Sequence, residues 1–423
     1  MILAAVIFIA AYIFIITEKV HRATAALVGA SLILILNILP LKEAWVEYID
    51  FNTLLLLIGM MIIVAITKRT GLFQYVAIKA AKLARGRAWL VLITLSAATA
   101  VLSAFLDNVT TVLLTIPMAI LIADTLGKSP IPFLMAGILS ANIGGTATLI
   151  GDPPNILVSS AAHFSFMDFI INLAPIAIII FVVTLLLLLL FFRRHFKVQP
   201  EMERKVAAFK ERGAIRDPLL MKKSLIVLGL TLIAFTIHHR FNLLPSTIAL
   251  GGAALLLFIS RINPEEIFKE IEWPVLFFFF GLFILVGALE KVGIIESLAR
   301  VILRATENPA AIVLIILWGS AFGSFILSAV PSVIAIIPLV EHIGIQLGLP
   351  PLEMNHLWWA LALGACLGGN GTLIAASANL IVAGISEKTR TPLTFKNYFK
   401  VGMPLTLVSL FIASIYIYFR YLV

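Results

Sequence analysis

Residues 139–155 read LSANIGGTATLIGDPPN. The stretch carries Gly144, Gly145 and Gly151, the pair Pro153-Pro154, and the polar residues Asn142, Thr146, Thr148, Asp152 and Asn155. A helix facing lipid does not hold that composition. Gly and Pro break the hydrogen-bond ladder, and each freed backbone group costs several kcal/mol in hydrocarbon. The stretch is therefore a loop outside a membrane or a break in a helix that lines a polar cavity.

The surrounding chain makes the membrane setting plain. Of its 423 residues, 61% are hydrophobic and 13% charged, and the mean hydropathy is +1.09. Soluble domains are nearer half apolar and a quarter charged. The apolar excess comes in runs long enough to span a bilayer, from 2–17 at one end to 401–418 at the other. The opening run has no basic residue before it, so a first helix is expected rather than a cleaved signal peptide. The single cysteine, Cys366, excludes internal disulfides and cysteine-based metal clusters, and its Gly-rich apolar setting suits packing. The net charge of +9 is read as a charge bias across the membrane, not as a nucleic-acid surface.

The chain repeats itself. IDFNTLLLLIGMMIIV at 49–64 matches IEWPVLFFFFGLFILV at 271–286 without a gap, and Gly71 recurs as Gly293. LSANIGGTATLIGDPPN matches LGACLGGNGTLIAASAN at 363–379, with eight of 17 positions identical, including both Gly pairs and the final Asn. The expected fold is an all-α polytopic membrane protein of two inverted repeats, with about ten transmembrane helices plus two re-entrant hairpins. The first repeat covers 1–195, with a hairpin at 88–126 and a broken helix at 131–162. The second covers 224–423, with a hairpin at 310–348 and a broken helix at 356–385. Between them lies a basic linker at 196–223. Each half crosses an odd number of times, whether its hairpin re-enters or crosses twice, and an odd count inverts the second half.

Charge sets the orientation. With the 193–223 loop in the cytoplasm, 25 of the 31 Lys and Arg fall on that side, Arg22 among them. Both termini are then outside. The shorter amphipathic stretches at 71–85 and 293–304 read as helices lying in the interface.

Inverted repeats with interrupted helices place transport sites near the midplane, where half-helix ends meet. Four interruptions are candidates. The hairpin tips hold Asp107, Asn108, Thr110 and Thr111 in the first half and Ser328 and Ser332 in the second. The breaks hold Gly144, Gly145, Thr146, Thr148, Asp152 and Asn155, and then Gly368, Gly369, Asn370, Thr372, Ser377 and Asn379. Glycines let a ligand approach the backbone, helix ends offer unpaired N–H and C=O groups, and Thr, Ser and Asn replace a hydration shell. The glycines serve equally as helix-packing positions. Asp107 is either a proton or sodium site or a cap for its own helix. Asp152 in Gly-Asp-Pro-Pro is either a turn residue or a second coupling-ion ligand. No metal centre is expected: His238-His239 has no carboxylate or Cys at ligand spacing. Phosphate-loop, nucleophile-elbow and HExxH patterns are absent from the sequence, so no catalytic residues are assigned and no enzyme activity is expected.

At SAFLDNVTTVLLTIP (103–117), SANIGGTATLIGDPPN (140–155) and WWALALGACLGGNGTLIAASANLIVAGI (358–385) the chain resembles the arsenite-pump membrane subunit and melanosomal P-protein group. That group belongs to the ion transporter superfamily, with the citrate and dicarboxylate carriers. The resemblance implies a secondary carrier in the plasma (bacterial inner) membrane, a homodimer with a scaffold part and a moving part. The implied solute is a small anion, either arsenite or antimonite or a citrate-like carboxylate, driven by a proton or sodium gradient. A sodium/proton antiporter is the alternative. An enzyme would need a second catalytic group beside Asp107, and a channel would not need the duplication. A soluble ATPase partner could dock on the basic loop. The chain departs from the group at one place: Ser328-Ala329 stands where P-protein-like members commonly repeat Asp-Asn. Either the coupling ion binds in the first half alone or coupling is lost.

Overall fold

The computed structural model describes all residues except Glu18, Lys210, Glu307, Arg390 and Val423, and the side chain of Arg212. Lys210, Arg212 and Arg390, counted among the inner charges, lie in that undescribed set. The described residues form helices and connecting turns with no strand.

The first half runs α1 (Ile2–Thr17), α2 (Arg22–Ile35), α3 (Phe51–Arg69), α4 (Leu72–Leu83), α5 (Ala88–Phe105), α6 (Asn108–Thr125), α7 (Ile131–Thr146), α8 (Pro153–Ala162) and α9 (Ala174–Phe191). The second runs α10 (Pro218–Ile237), α11 (Pro245–Ser260), α12 (Trp273–Lys291), α13 (Ile294–Ala305), α14 (Pro309–Leu327), α15 (Ala329–Leu347), α16 (Pro351–Gly368), α17 (Ser377–Ser386) and α18 (Phe395–Ile417). The order of long, short and interrupted helices is the same in both. Nine helices among the described residues are long and apolar enough to cross a membrane. Their outward faces are apolar, as a lipid-facing surface must be: Leu186, Leu190 and Phe411 are all exposed.

Helix starts follow local chemistry. Asp50, Asp107 and Asp217 accept hydrogen bonds from the N–H of Thr53, Thr110 and Leu220, and proline occupies the first turn of α8, α10, α11 and α14. The short helices α4 and α13 each begin after a glycine at positive φ, Gly71 at 82° and Gly293 at 79°. A β-carbon at Gly71 would also strike the carbonyl oxygen of Ala214, so this turn admits no other residue without movement.

Corresponding helices make corresponding contacts, exchanged between the halves. α3 packs on α11, where a β-carbon at Gly59 would lie 2.6 Å from the Ala249 carbonyl carbon. α12 packs on α2, where a β-carbon at Gly281 would lie 2.8 Å from that of Ala26. Gly59 and Gly281 are the paired glycines of the sequence repeat. Each half thus completes the packing of the other.

Two large apolar cores result, beside a small cluster of Val64, Phe73, Leu106 and Leu114. One gathers α2, α3, α11 and α12 with most of α14 and α16, through Ala26, Ile63, Ala249, Leu282 and Leu361. The second gathers α5, α6 and α7 with α17 and the start of α18, through Val91, Val112, Leu134, Ala378 and Tyr398.

Candidate functional site

The first tip is built by capping. Leu106 ends α5 in extended backbone, and Asp107 Oδ1 accepts the Thr110 N–H at 2.7 Å to start α6. Asn108, the next residue, is buried and turns its amide inward. Nδ2 donates to Asp152 Oδ1 at 3.2 Å and to Asn142 Oδ1 at 3.3 Å. Asp107 therefore does act as a cap, while its half-buried side chain also borders the cavity described below.

The second tip is built differently. Ser328 takes φ +73°, ψ 157°, a region nearly reserved for glycine, so backbone strain is stored there. Its carbonyl accepts the Ser332 hydroxyl at 3.0 Å. Tyr12 of α1 donates its hydroxyl to the Pro331 carbonyl at 3.1 Å and ties this tip to the first core.

Each break is fastened to its own hairpin by the same bonds. Ser103 Oγ donates to the Ala141 carbonyl at 2.7 Å, and Ser324 Oγ to the Ala365 carbonyl at 2.9 Å. Thr148 donates to the Ala104 carbonyl, and Thr372 to the Phe325 carbonyl. Asn155 Nδ2 gathers the carbonyls of Gly145, Thr146 and Thr148, the last at 2.8 Å. Asn379 Nδ2 gathers those of Gly369 and Thr372, at 2.7 and 2.9 Å. Unwound backbone at membrane depth is held by side chains of its own segment, which is how such breaks persist in low dielectric. Gly144 and Gly368 are packing positions: a β-carbon on either would run into the carbonyl oxygen of Ala100 or Ala321.

The two breaks are joined at the centre. Asn142 Nδ2 donates to Asn370 Oδ1 at 2.9 Å and to Asn379 Oδ1 at 3.0 Å. Cys366, the repeat counterpart of Asn142, donates its thiol to Asn155 Oδ1 at 3.3 Å. Each counterpart thus reaches across to the asparagine that fastens the opposite break.

Both tips and both breaks meet at one cavity of about 70 Å³. One water needs roughly 10–15 Å³ of such space, so the cavity has room for a few waters or a small polyatomic anion. Of the predicted site residues, Asp107, Asn108, Asp152, Ser328 and Ser377 line it. Thr146, Thr148, Asn155, Gly369, Asn370, Thr372 and Asn379 lie behind that lining, in the bonds just described. Gly144, Gly145 and Gly368 lie among packed backbone, and Thr110 and Ser332 are engaged within their own tips. Thr111 is buried, and its hydroxyl has no hydrogen-bond partner among the described residues.

Sequence reasoning missed two lining residues. Arg22, counted only as an inner-side charge, donates from Nη1 to Ser377 Oγ at 2.5 Å and sits 5.4 Å from the centroid of the Phe278 ring. Glu272 starts α12 without a capping bond from its side chain and lines the same cavity. The signal for Arg22 was positional: it opens an apolar helix whose repeat counterpart opens with Pro245. Asn142 stood in the polar set of the first break but was not carried into the candidate site.

A cavity lined by Arg22, three carboxylates and apolar side chains, where two hairpin tips and two broken helices meet inside an apolar-faced helical protein, marks a membrane transporter. The citrate transporter family model matches residues 12–364, and the chain belongs to that family. An uncharacterized transporter of Mycobacterium tuberculosis is 40% identical over 428 residues, covering 100% of this chain and 99% of its own length. A 46 kDa membrane protein of Mycobacterium leprae is 39% identical over 429 residues, with the same coverage. The human P protein is 33% identical over 500 residues, which cover 98% of this chain and 59% of the P protein. Among solved structures, the Alcanivorax borkumensis YdaH transporter matches with a TM-score of 0.60 over 96% of this chain and 97% of its own. At 15% identity that is a likeness of fold.

Proposed function

We propose that the chain is a secondary active transporter of a small anion, driven by a proton or sodium gradient through alternating access. The observation that carries the reading is the convergence of both tips and both breaks on one cavity that holds a cationic side chain beside carboxylates. Asp107 and Asp152, both from the first half, are the coupling-ion ligands. Asn108 and Ser328 contact the solute; Ser377 lines the cavity as the partner of Arg22, with the two breaks behind them. The family's description favours a citrate-like carboxylate over arsenite or antimonite.

The two inverted repeats, at 1–195 and 224–423, lie about the basic linker at 196–223. That linker is cytoplasmic, both termini are outside, and the plasma membrane is the location. A homodimer is proposed, with the basic loop as the place where a soluble ATPase partner would dock. A sodium/proton antiporter is the second reading. It is favoured by the excess of carboxylates, Asp107, Asp152 and Glu272, over Arg22 among the described residues lining the cavity.

The test uses purified protein in proteoliposomes under separate pH and sodium gradients. Uptake of citrate, succinate, phosphate and arsenite is followed with and without each gradient. Gradient-stimulated uptake of one of them supports the carrier. Sodium/proton exchange with no anion flux supports the antiporter instead.

A further inference from the structure

Among the described residues lining the central cavity, Arg22 alone is positively charged, against the carboxylates of Asp107, Asp152 and Glu272. Its position joins the two apolar cores. Arg22 opens α2, which packs on α12 in the first core, and its guanidinium lies over the Phe278 ring of α12. The partner of its Nη1, Ser377, opens α17, whose Ala378 and Val382 belong to the second core. The bond therefore crosses the seam between the cores, at the wall of the cavity. The duplication does not reproduce it. The counterparts of Arg22 and Ser377 are Pro245 and Pro153, which have no side-chain donor or acceptor.

A serine hydroxyl is a weak partner for a guanidinium. It is neutral, and its single oxygen does not match the two parallel N–H groups of the fork. A carboxylate or oxyanion accepts two parallel N–H bonds from the planar fork, and both are charge-assisted. An anionic group entering the cavity would therefore outcompete Ser377 for Arg22. Nearby carboxylates would meanwhile oppose an anion that lacked this contact.

We propose that Arg22 selects the charge of the carried solute: it binds the solute's carboxylate or oxyanion group in place of Ser377, so that loading releases the bond between the two cores. This rests on the anion-carrier reading above. The release gives the empty carrier a reason to hold its cores together and the loaded one freedom to rearrange.

The experiment measures citrate uptake against concentration in proteoliposomes, with phosphate as a second probe, for wild type, Arg22→Gln, Arg22→Lys and Ser377→Ala. Arg22→Gln is expected to raise KM at least about tenfold, the loss of one charge-assisted contact. Arg22→Lys, which keeps charge without the fork, should fall between it and wild type. Ser377→Ala removes this one competitor and should leave KM unchanged or lower it. Citrate-dependent rise of the thermal unfolding midpoint in detergent is the second readout, and it should be lost in Arg22→Gln and retained in Ser377→Ala. If Arg22→Gln does not fold, the contrast between Arg22→Lys and Ser377→Ala carries the test. Wild-type KM in Arg22→Gln overturns the proposal while leaving the carrier intact. An equal rise in KM for Arg22→Lys and Ser377→Ala also overturns it, because the bond would then serve only the fold. A wild type that exchanges cations and moves neither anion removes the carrier reading itself, and this proposal with it.

Discussion

The side-chain amide of Asn142 in the first break donates to Oδ1 of Asn379, which fastens the second break, at 3.0 Å. The same Asn379 donates to the Gly369 carbonyl at 2.7 Å. One side chain therefore couples the shape of one unwound segment to the position of the other. Asn142→Ala leaves the Asn108 amide and the oxygens of Asn370 and Asn379 without this partner in a buried site. Expected cost is about 1–3 kcal/mol for the stranded groups, read as a lower thermal midpoint. Transport should fall more than it does for an Asn142→Gln control, which keeps donor and acceptor.

Asp107 has two roles that substitution can separate. Asparagine caps a helix about as well as aspartate. Asp107→Asn should keep the unfolding midpoint and lose cation dependence of transport. Asp107→Ala should lose both, with a destabilisation of about 1 kcal/mol. Cation-dependent transport by Asp107→Asn would assign Asp107 to capping alone.

The second tip stores strain at Ser328. Glycine adopts that backbone region without it, so Ser328→Gly should stabilise the protein, by about 1 kcal/mol or more, less the entropy glycine loses on folding. Differential scanning fluorimetry in detergent reads the sign. A lower midpoint would mean that the Ser328 side chain contributes more than its backbone costs.

The exchanged packing of the halves predicts matched penalties. A leucine at Gly59 collides with the backbone of Ala249, and one at Gly281 with the backbone of Ala26. Each should destabilise by about 1–3 kcal/mol, as overpacking does, and by similar amounts. A large penalty at one glycine and none at the other would deny the equivalence of the two contacts.

Much of this architecture was legible because glycine and asparagine do not align by accident in greasy sequence. Gly144-Gly145 against Gly368-Gly369, and Asn155 against Asn379, marked both breaks before any helix was placed. The structure returns them with matching bonds. What the sequence did not show was how the breaks meet. Asn142 and Cys366 are counterparts of different chemistry, so the repeat hid their shared role. Arg22 was passed over for a physical reason: basic residues at helix ends are usually solvated, and charge counting treats them all alike. Only the packing of α2 on α12 turns this one toward Ser377. Several of the candidate site residues bond backbone carbonyls, because an unwound segment in low dielectric must satisfy its own polar groups.

The most direct test of the central claim follows citrate and the coupling cation together in the same proteoliposomes, comparing wild type with Asp152→Asn. The account predicts that wild type moves citrate with the cation in a fixed ratio, each flux requiring the other. It also predicts that Asp152→Asn loses the cation flux and the gradient-driven part of citrate uptake. Cation flux that proceeds undiminished without any anion, or citrate uptake that is equally gradient-driven in Asp152→Asn, would contradict it.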